Sequence, residues 1–169
     1  GKSTLLEAVA AKCGFTSMGG GRGTLLSTEV QEPTLEDIIT LSWLPKVKTG
    51  FFLRAETFYD FANYIDRLAK DVPPMEAYRP YGGKSLHQQS HGEAFLALFL
   101  NRFNYKGIYF LDEPEAALSP QRQLAFLRII KQLSTSGKAQ FIIATHSPIL
   151  LAYPEAVIYN FDDTPMGII

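Results

Sequence analysis

Three short, continuous runs of hydrophobic residues stand out along this chain. Residues 51–53, 108–111 and 141–144 are uninterrupted and rich in aromatic or β-branched side chains. Such runs are typical of strands that are buried on both faces. The second run ends in two carboxylates and a proline, which cannot continue a strand ladder. We therefore predict three buried strands, the second of which ends at Asp112.

Between these runs, hydrophobic residues recur at helical spacing. Helices are predicted at residues 5–13, 57–69, 94–103 and 120–136, with shorter ones at 34–41 and 148–151. Short strands are predicted at 24–27 and 157–159, and loops at 19–23 and 73–83, where glycine or proline clusters. The alternation of strands and helices indicates an α/β fold with a mainly parallel sheet covered by helices.

Composition narrows the class of protein. Hydrophobic residues make up 46% and charged residues 20% of the 169 residues, as in an ordinary soluble globular domain. The net charge of -1 includes no basic run, so composition does not favour nucleic-acid binding, although it leaves room for a local patch. No apolar run approaches the ~18 residues of a membrane helix. The single cysteine, Cys13, lies in a helical stretch and suits a core position in a reducing, cytoplasmic setting.

The candidate chemistry begins at the end of the central predicted strand. Asp112 and Glu113 lie at its carboxyl end, where open α/β sheets bind ligands. Asp112 would hold a metal ion, directly or through water, and Glu113 would act as a general base toward water. His146 follows the next predicted strand and could contact the same ligand. The structural alternatives are an acidic turn and a polar residue in a strand-end loop.

Residues 1–4 (Gly-Lys-Ser-Thr) precede a predicted helix and match the second half of a phosphate-binding loop, G-x-x-x-x-G-K-[ST]. Lys2 would reach the β- and γ-phosphates of ATP, and the Ser3 hydroxyl would bind Mg²⁺. Gly1, Thr4 and the backbone N–H groups at the helix start would help to hold the phosphates.

A second polar group precedes the helix predicted at 94–103. Ser90 can cap that helix, and Gly92 would permit close approach of a ligand to the backbone. Glu93 lies three residues after Ser90, so a capping box is the structural alternative. A rival interpretation is a metal site formed by His87, His91 and Glu93.

The order of these motifs resembles that of the ABC-type ATPases, a class that includes transporter ATPases and SMC/RecF-like proteins. The matching stretches are residues 1–4 (Gly-Lys-Ser-Thr), 90–93 (Ser-His-Gly-Glu), 110–114 (Phe-Leu-Asp-Glu-Pro) and 144–147 (Ala-Thr-His-Ser). More narrowly, residues 51–56, 85–90 and 112–120 look like those of a bacterial group of AAA-family ATPases with ABC-type heads.

The resemblance implies a P-loop NTPase that hydrolyses ATP with Mg²⁺, with nucleotide sandwiched between the two subunits of a homodimer. It assigns Lys2, Ser3 and Thr4 to the phosphate loop, Asp112 to the metal acid, Glu113 to the catalytic base and His146 to the switch histidine. It assigns Ser90 and Gly92 to the signature motif, which reaches ATP bound by the second subunit.

The chain also departs from the family pattern. His91 and Glu93 replace the Gly and Gln of a transporter-like signature, and Ser119 stands where an Asp is common. The family's Q-loop glutamine has only weak candidates, which are Gln31 and the strand end at Arg54 and Glu56.

Two other functions compete with ATP hydrolysis that drives dimerisation. One is an ATP-gated module that binds DNA or another protein and hydrolyses ATP slowly. The other is a transporter ATPase, which the absence of a membrane-length apolar run and the form of the signature do not favour.

The chain opens inside the phosphate-binding motif. We expect residues 1–169 to be a single ATPase domain that lacks the preceding strand or strands and the first half of the loop, and these residues alone to bind Mg-ATP poorly. The missing strand is expected to leave a gap beside the strand that ends at Asp112. Residues 1–4 would then be disordered, or another segment or subunit would fill the gap.

Overall fold

A three-stranded parallel sheet forms the centre of the fold. The computed structural model describes residues 1–15, 35–43, 47–102, 105–162 and 167–168. The strands β1 (Gly50–Arg54), β2 (Gly107–Asp112) and β3 (Ala139–Ala144) lie in the order β1-β2-β3. In this register Asp112 lies opposite both Arg54 and Ala144, so the three strands end at one level. The predicted α/β class and the three predicted strands are confirmed.

Helices cover the sheet. The α-helices are α1 (Lys2–Lys12), α2 (Leu35–Ile38), α3 (Phe58–Leu68), α4 (Pro74–Tyr78), α5 (His91–Asn101), α6 (Pro120–Thr135) and α7 (Pro148–Leu151). Single 3₁₀ turns occupy Ala55–Thr57, Arg79–Tyr81, Leu86–Gln88 and Pro114–Ala117. A separate antiparallel pair consists of β4 (Tyr159–Asn160) and β5 (Gly167–Ile168). Among the described residues, none of the helices has the length and apolar character needed to cross a membrane.

Most predicted elements are confirmed, with different boundaries. Helix α5 begins at His91, three residues before its predicted start, because the capping box at Ser90 starts the helix there. The predicted loop at 73–83 is wrong in part, since Pro74 takes the first position of α4. Gly14 and Gly137, which follow α1 and α6, have positive φ angles of 88° and 65°, as is typical after a helix.

Other predictions differ or fall outside the described residues. Helix α2 ends at Ile38 rather than at residue 41, and the strand predicted at 157–159 is the two-residue β4. The strand predicted at 24–27, the loop at 19–23 and the candidate Gln31 lie outside the described residues.

The hydrophobic core lies on both faces of the sheet. Alternate side chains of each strand point to opposite faces. Phe51, Leu53, Tyr109 and Leu111 belong to one core cluster, which packs mainly against α3, α5 and α6. Phe52, Ile108 and Phe110 belong to a second cluster, which includes Leu6, Ala10 and Cys13 of the α1 region. Cys13 is therefore a buried core residue, as predicted.

The expected gap beside β2 is not observed. Strand β2 pairs with β1 over residues 108–112 and with β3 over residues 107–112, and all six of its residues are buried. Residues 2–4 form the first turn of α1. The disordered start is therefore wrong, and the structure agrees with the other alternative, since β1 and β3 are the segments beside β2.

Candidate functional site

Residues from distant parts of the chain meet at the carboxyl edge of the sheet. Lys2 lies at the start of α1, Glu113 directly follows β2, and His146 lies two residues after β3. The Lys2 Nζ atom is 3.0 Å from His146 Nε2, and that nitrogen is 3.9 Å from Glu113 Oε1. The structure therefore brings together three of the residues that the sequence predicts for an ATP site.

The N-terminus of α1 presents polar groups at the same edge. The first hydrogen bond of the helix joins Leu5 N to Gly1 O at 3.2 Å. The preceding N–H groups belong to the first turn, where helices have no internal acceptors. Ser3 is half-buried and Thr4 is exposed. A helix N-terminus with a lysine beside it suits an anion such as a phosphate.

Asp112 is a buried carboxylate with one paired and one unpaired oxygen. Its side chain is only 4% exposed, and Oδ2 accepts a hydrogen bond of 2.9 Å from Arg54 Nε. The Oδ1 atom is buried and has no hydrogen-bond partner among the described residues. A buried carboxylate oxygen without a donor is costly, so this atom is suited to a cation.

The chemistry of this donor set fits Mg²⁺. In phosphate sites this ion prefers oxygen ligands and is held by one or two protein oxygens, with the rest supplied by phosphates and water. The Ser3 hydroxyl and Asp112 Oδ1 are donors of that kind. The part of the chain that the structure describes contains no group of three His, Cys, Asp or Glu side chains that could hold a metal alone. Substrate oxygens would therefore have to complete the coordination.

The sequence did not indicate that Arg54 is the partner of Asp112. Arg54 Nη2 also binds Glu7 Oε2 of α1 at 3.1 Å, so the guanidinium connects two carboxylates. Burial by itself lowers the pKa of Arg54, but its hydrogen bonds to Asp112 and Glu7 outweigh that effect and raise the pKa. The only hint in the sequence is that Arg54 directly follows the predicted strand at residues 51–53, which precedes the Asp112-Glu113 motif along the chain.

Glu113 has an unusual backbone conformation. Its φ and ψ angles are 49° and 51°, in the left-handed region that non-glycine residues rarely adopt. Glu113 N still donates to Ala144 O at 2.9 Å, so the turn begins immediately after the ladder. The side chain is 46% exposed and lies on the side of His146. Strain of this kind clusters at functional sites.

The loop that carries His146 is held by hydrogen bonds of the His146 backbone and of the Ser147 side chain. His146 N donates to Glu115 Oε1 at 2.7 Å, while the His146 side chain is 69% exposed. Ser147 Oγ donates to Gln123 of α6 and accepts from the N–H groups of Ile149 and Leu150 at the start of α7. The backbone is therefore held in place, and the imidazole faces the open side of the site.

Ser90 and Gly92 lie in a different polar group at the start of α5. Ser90 N donates to Glu93 Oε2 at 3.1 Å, and Glu93 Oε1 pairs with Arg122 Nη2 of α6 at 3.0 Å. The hydrogen bonds from Ser90, and then the charge of Arg122, lower the pKa of Glu93. These contacts are with α5 and α6 and not with Lys2 or its neighbours. The capping box that was the structural alternative is thus present.

Gly92 is closely packed against other parts of the chain. A Cβ atom there would lie 2.6 Å from Arg122 Cδ and 3.1 Å from the backbone oxygen of Ala117. Arg122 and Ala117 therefore approach the backbone at Gly92, and the approach of a ligand there stays a prediction.

The rival metal site at His87, His91 and Glu93 is wrong. His87 Nε2 lies 3.0 Å from Asn63 Oδ1, and the His91 ring packs edge-on against Phe58 at 5.3 Å between centroids. Glu93 is engaged with Ser90 and Arg122. Each of the three side chains thus has a different neighbour, and they form no joint metal-binding group.

Comparison with known families supports the same class of protein. Residues 85–152 match a family model described as "AAA domain, putative AbiEii toxin, Type IV TA system". The match includes Ser90, Asp112, Glu113 and His146, and it covers less than half of the chain. No curated protein matches the chain. The match and the parallel, helix-covered sheet support an AAA-type, P-loop ATPase-like family and suggest nucleotide binding and hydrolysis.

Proposed function

We propose that this protein is an ABC-type ATPase head that binds and hydrolyses ATP with Mg²⁺. The observation that carries the proposal is the meeting of Lys2, Glu113 and His146 at the end of a parallel sheet, beside a buried carboxylate with an unpaired oxygen. Phosphoryl transfer depends mainly on positioning and on neutralising charge, and this edge supplies groups for both.

Each group has a role that follows from its place. The N–H groups at the start of α1 and the Lys2 ammonium would hold the phosphates, and Ser3 and Asp112 would be the protein ligands of Mg²⁺. When bound, Mg²⁺ would neutralise charge on the phosphate oxygens. Glu113 would orient the attacking water and accept its proton, and His146 would donate a hydrogen bond toward the γ-phosphate.

We further propose that two copies of the protein share the nucleotide. Ser90 is exposed at the start of α5, and its polar contacts are separate from those of Lys2 and His146. A helix N-terminus that faces outward could approach phosphates bound by a second copy. In this arrangement Gly92 supports the signature helix by allowing Arg122 to pack against it. The residues described would then act as one ATPase domain within a homodimer.

The test compares the full-length wild-type protein with the Glu113→Gln variant. We expect the variant to bind Mg-ATP but to lose turnover by about 10²-fold or more, because the general base is absent. A dimer that retains nucleotide should accumulate and be detectable by light scattering. The matched control is Glu155→Gln, an exposed glutamate that also has a positive φ angle and pairs with Lys131.

The outcomes separate the candidate functions. Turnover that is unchanged in Glu113→Gln but requires Mg²⁺ would remove Glu113 from the mechanism. No ATP-dependent dimer in the variant would contradict the shared site. Slow wild-type hydrolysis together with ATP-dependent, salt-sensitive retention of DNA would instead favour the binding module.

A further inference from the structure

Arg54 joins the two elements that carry the proposed metal ligands. It ends β1, and its guanidinium binds Asp112 at the end of β2 and Glu7 on α1. We infer that Arg54 is a positioning residue of the Mg-nucleotide site, which orients the Asp112 carboxylate and holds α1 in register with the strand ends. This inference rests on the proposed function.

Arg54 orients the carboxylate of Asp112. Its carboxylate is buried, and the charged neighbour that it contacts is Arg54, at 2.9 Å from Oδ2. A buried charge is stable only with a partner of opposite sign and suitable geometry. Because Arg54 occupies Oδ2, the unpaired Oδ1 is the oxygen that remains for a cation. Arg54 therefore selects which oxygen of Asp112 is available to a metal ion.

Arg54 also holds helix α1 through Glu7. Glu7 lies four residues after Ser3, and residues with this spacing lie on the same face of a helix. Arg54 Nη2 holds Glu7 Oε2 at 3.1 Å while Arg54 Nε holds Asp112. The guanidinium group of Arg54 therefore sets the distance between Asp112 and the face of α1 that carries Ser3.

The shape of the arginine side chain suits this double contact. The guanidinium offers several N–H donors in a rigid plane, whereas the ammonium of lysine is a single point charge. The Cζ atom of Arg54 also lies 5.9 Å from the centre of the Phe52 ring, within the range of a cation–π contact. Lysine at this position would keep the positive charge but could not reach both carboxylates with the same geometry.

A stability cycle in the full-length protein tests the pairing itself. We expect Arg54→Met to lower Tm by about 5–10 °C, since it leaves Asp112 buried without a counter-charge. The double variant Arg54→Met/Asp112→Asn should regain most of this loss, because the unpaired charge is removed. The control Lys131→Met breaks an exposed ion pair with Glu155 and should shift Tm by about 1–2 °C or less. A double variant as unstable as Arg54→Met would overturn the pairing.

A binding titration tests the role toward the metal. Fluorescent ATP is titrated against wild type, Arg54→Lys and Glu7→Gln, each at a series of Mg²⁺ concentrations. We expect both variants to bind nucleotide but to need about tenfold more Mg²⁺ for half-maximal binding, because the ligand face is less well held. An unchanged Mg²⁺ requirement in both, with normal wild-type binding, would overturn this inference alone. No Mg-ATP binding by wild type would overturn the proposed function and the metal role of Arg54 with it.

Discussion

The left-handed conformation of Glu113 allows a test in which stability and activity move in opposite directions. Replacing Glu113 by glycine removes the Cβ atom that makes the φ angle of 49° unfavourable. For an L-residue the left-handed conformation costs about 1–2 kcal/mol. Glycine avoids that cost but loses about 0.5–1 kcal/mol through the greater freedom of its unfolded chain.

The rest of the side chain contributes little to the balance. It is 46% exposed, and its Oε1 atom lies 3.9 Å from Nε2 of the exposed His146, a contact that is worth little in water. The net expectation for Glu113→Gly is therefore a gain of about 0.5–1 kcal/mol in the free energy of unfolding. This corresponds to a rise of about 1–4 °C in Tm for a chain of this size.

Glu113→Ala is the matched comparison. It also removes the carboxylate but keeps the Cβ atom, so the strain remains. We expect it to be about 1 kcal/mol less stable than Glu113→Gly in urea unfolding, while both variants lose ATP turnover. The exposed Glu155 has a φ angle of 70°, so the same pair of substitutions there should reproduce the stability difference and leave turnover unchanged.

The result that would refute this reasoning is equal stability of the glycine and alanine variants at residue 113. It would mean that the left-handed turn costs nothing and that the conformation says nothing about function. Turnover retained in Glu113→Gly would contradict the second half of the argument, the role of the carboxylate as general base.

We make three further predictions, which concern His146, Gly92 and Ser147. His146→Ala should lower kcat by about tenfold or more while nucleotide affinity stays near wild type, and equal losses in titration and turnover would contradict the γ-phosphate role. Gly92→Ala should cost about 1 kcal/mol or less in the free energy of unfolding, because its Cβ would lie 2.6 Å from Arg122 Cδ in a flexible side chain that can shift, and because alanine favours a helix more than glycine does. Truncation of that side chain by Arg122→Ala should relieve part of the cost, and full additivity of the two changes in urea unfolding would refute the clash. Ser147→Ala should cost about 2 kcal/mol in thermal unfolding, since it removes the α7 cap and leaves the buried Gln123 oxygen unpaired, and an unchanged Tm would rule out both effects.

Much of the local structure was evident in the sequence. Strand β2 is an apolar run that ends at Asp112, and α6 begins with Pro120 after Ser119, as the composition of those segments predicted. These features depend on side chains that are close together in the chain, where periodicity, capping and proline have direct effects. The sequence also placed Glu113 and His146 after neighbouring predicted strands, while Lys2 was assigned to the same nucleotide by its phosphate-loop motif.

The contacts that shape the candidate site were decided only by the tertiary structure. The Arg54 bridge depends on the register of β1 against β2 and on the position of α1, and the segments involved are far apart in the chain. The pairing of β2 with β3 and the contact between Arg122 and Gly92 likewise join segments that are far apart in the chain. Local patterns carry no register between distant strands, and a one-residue shift would reverse which side chains face each other. For this protein the sequence by itself therefore determined which elements form and which polar groups end them, while packing decided which of those groups touch.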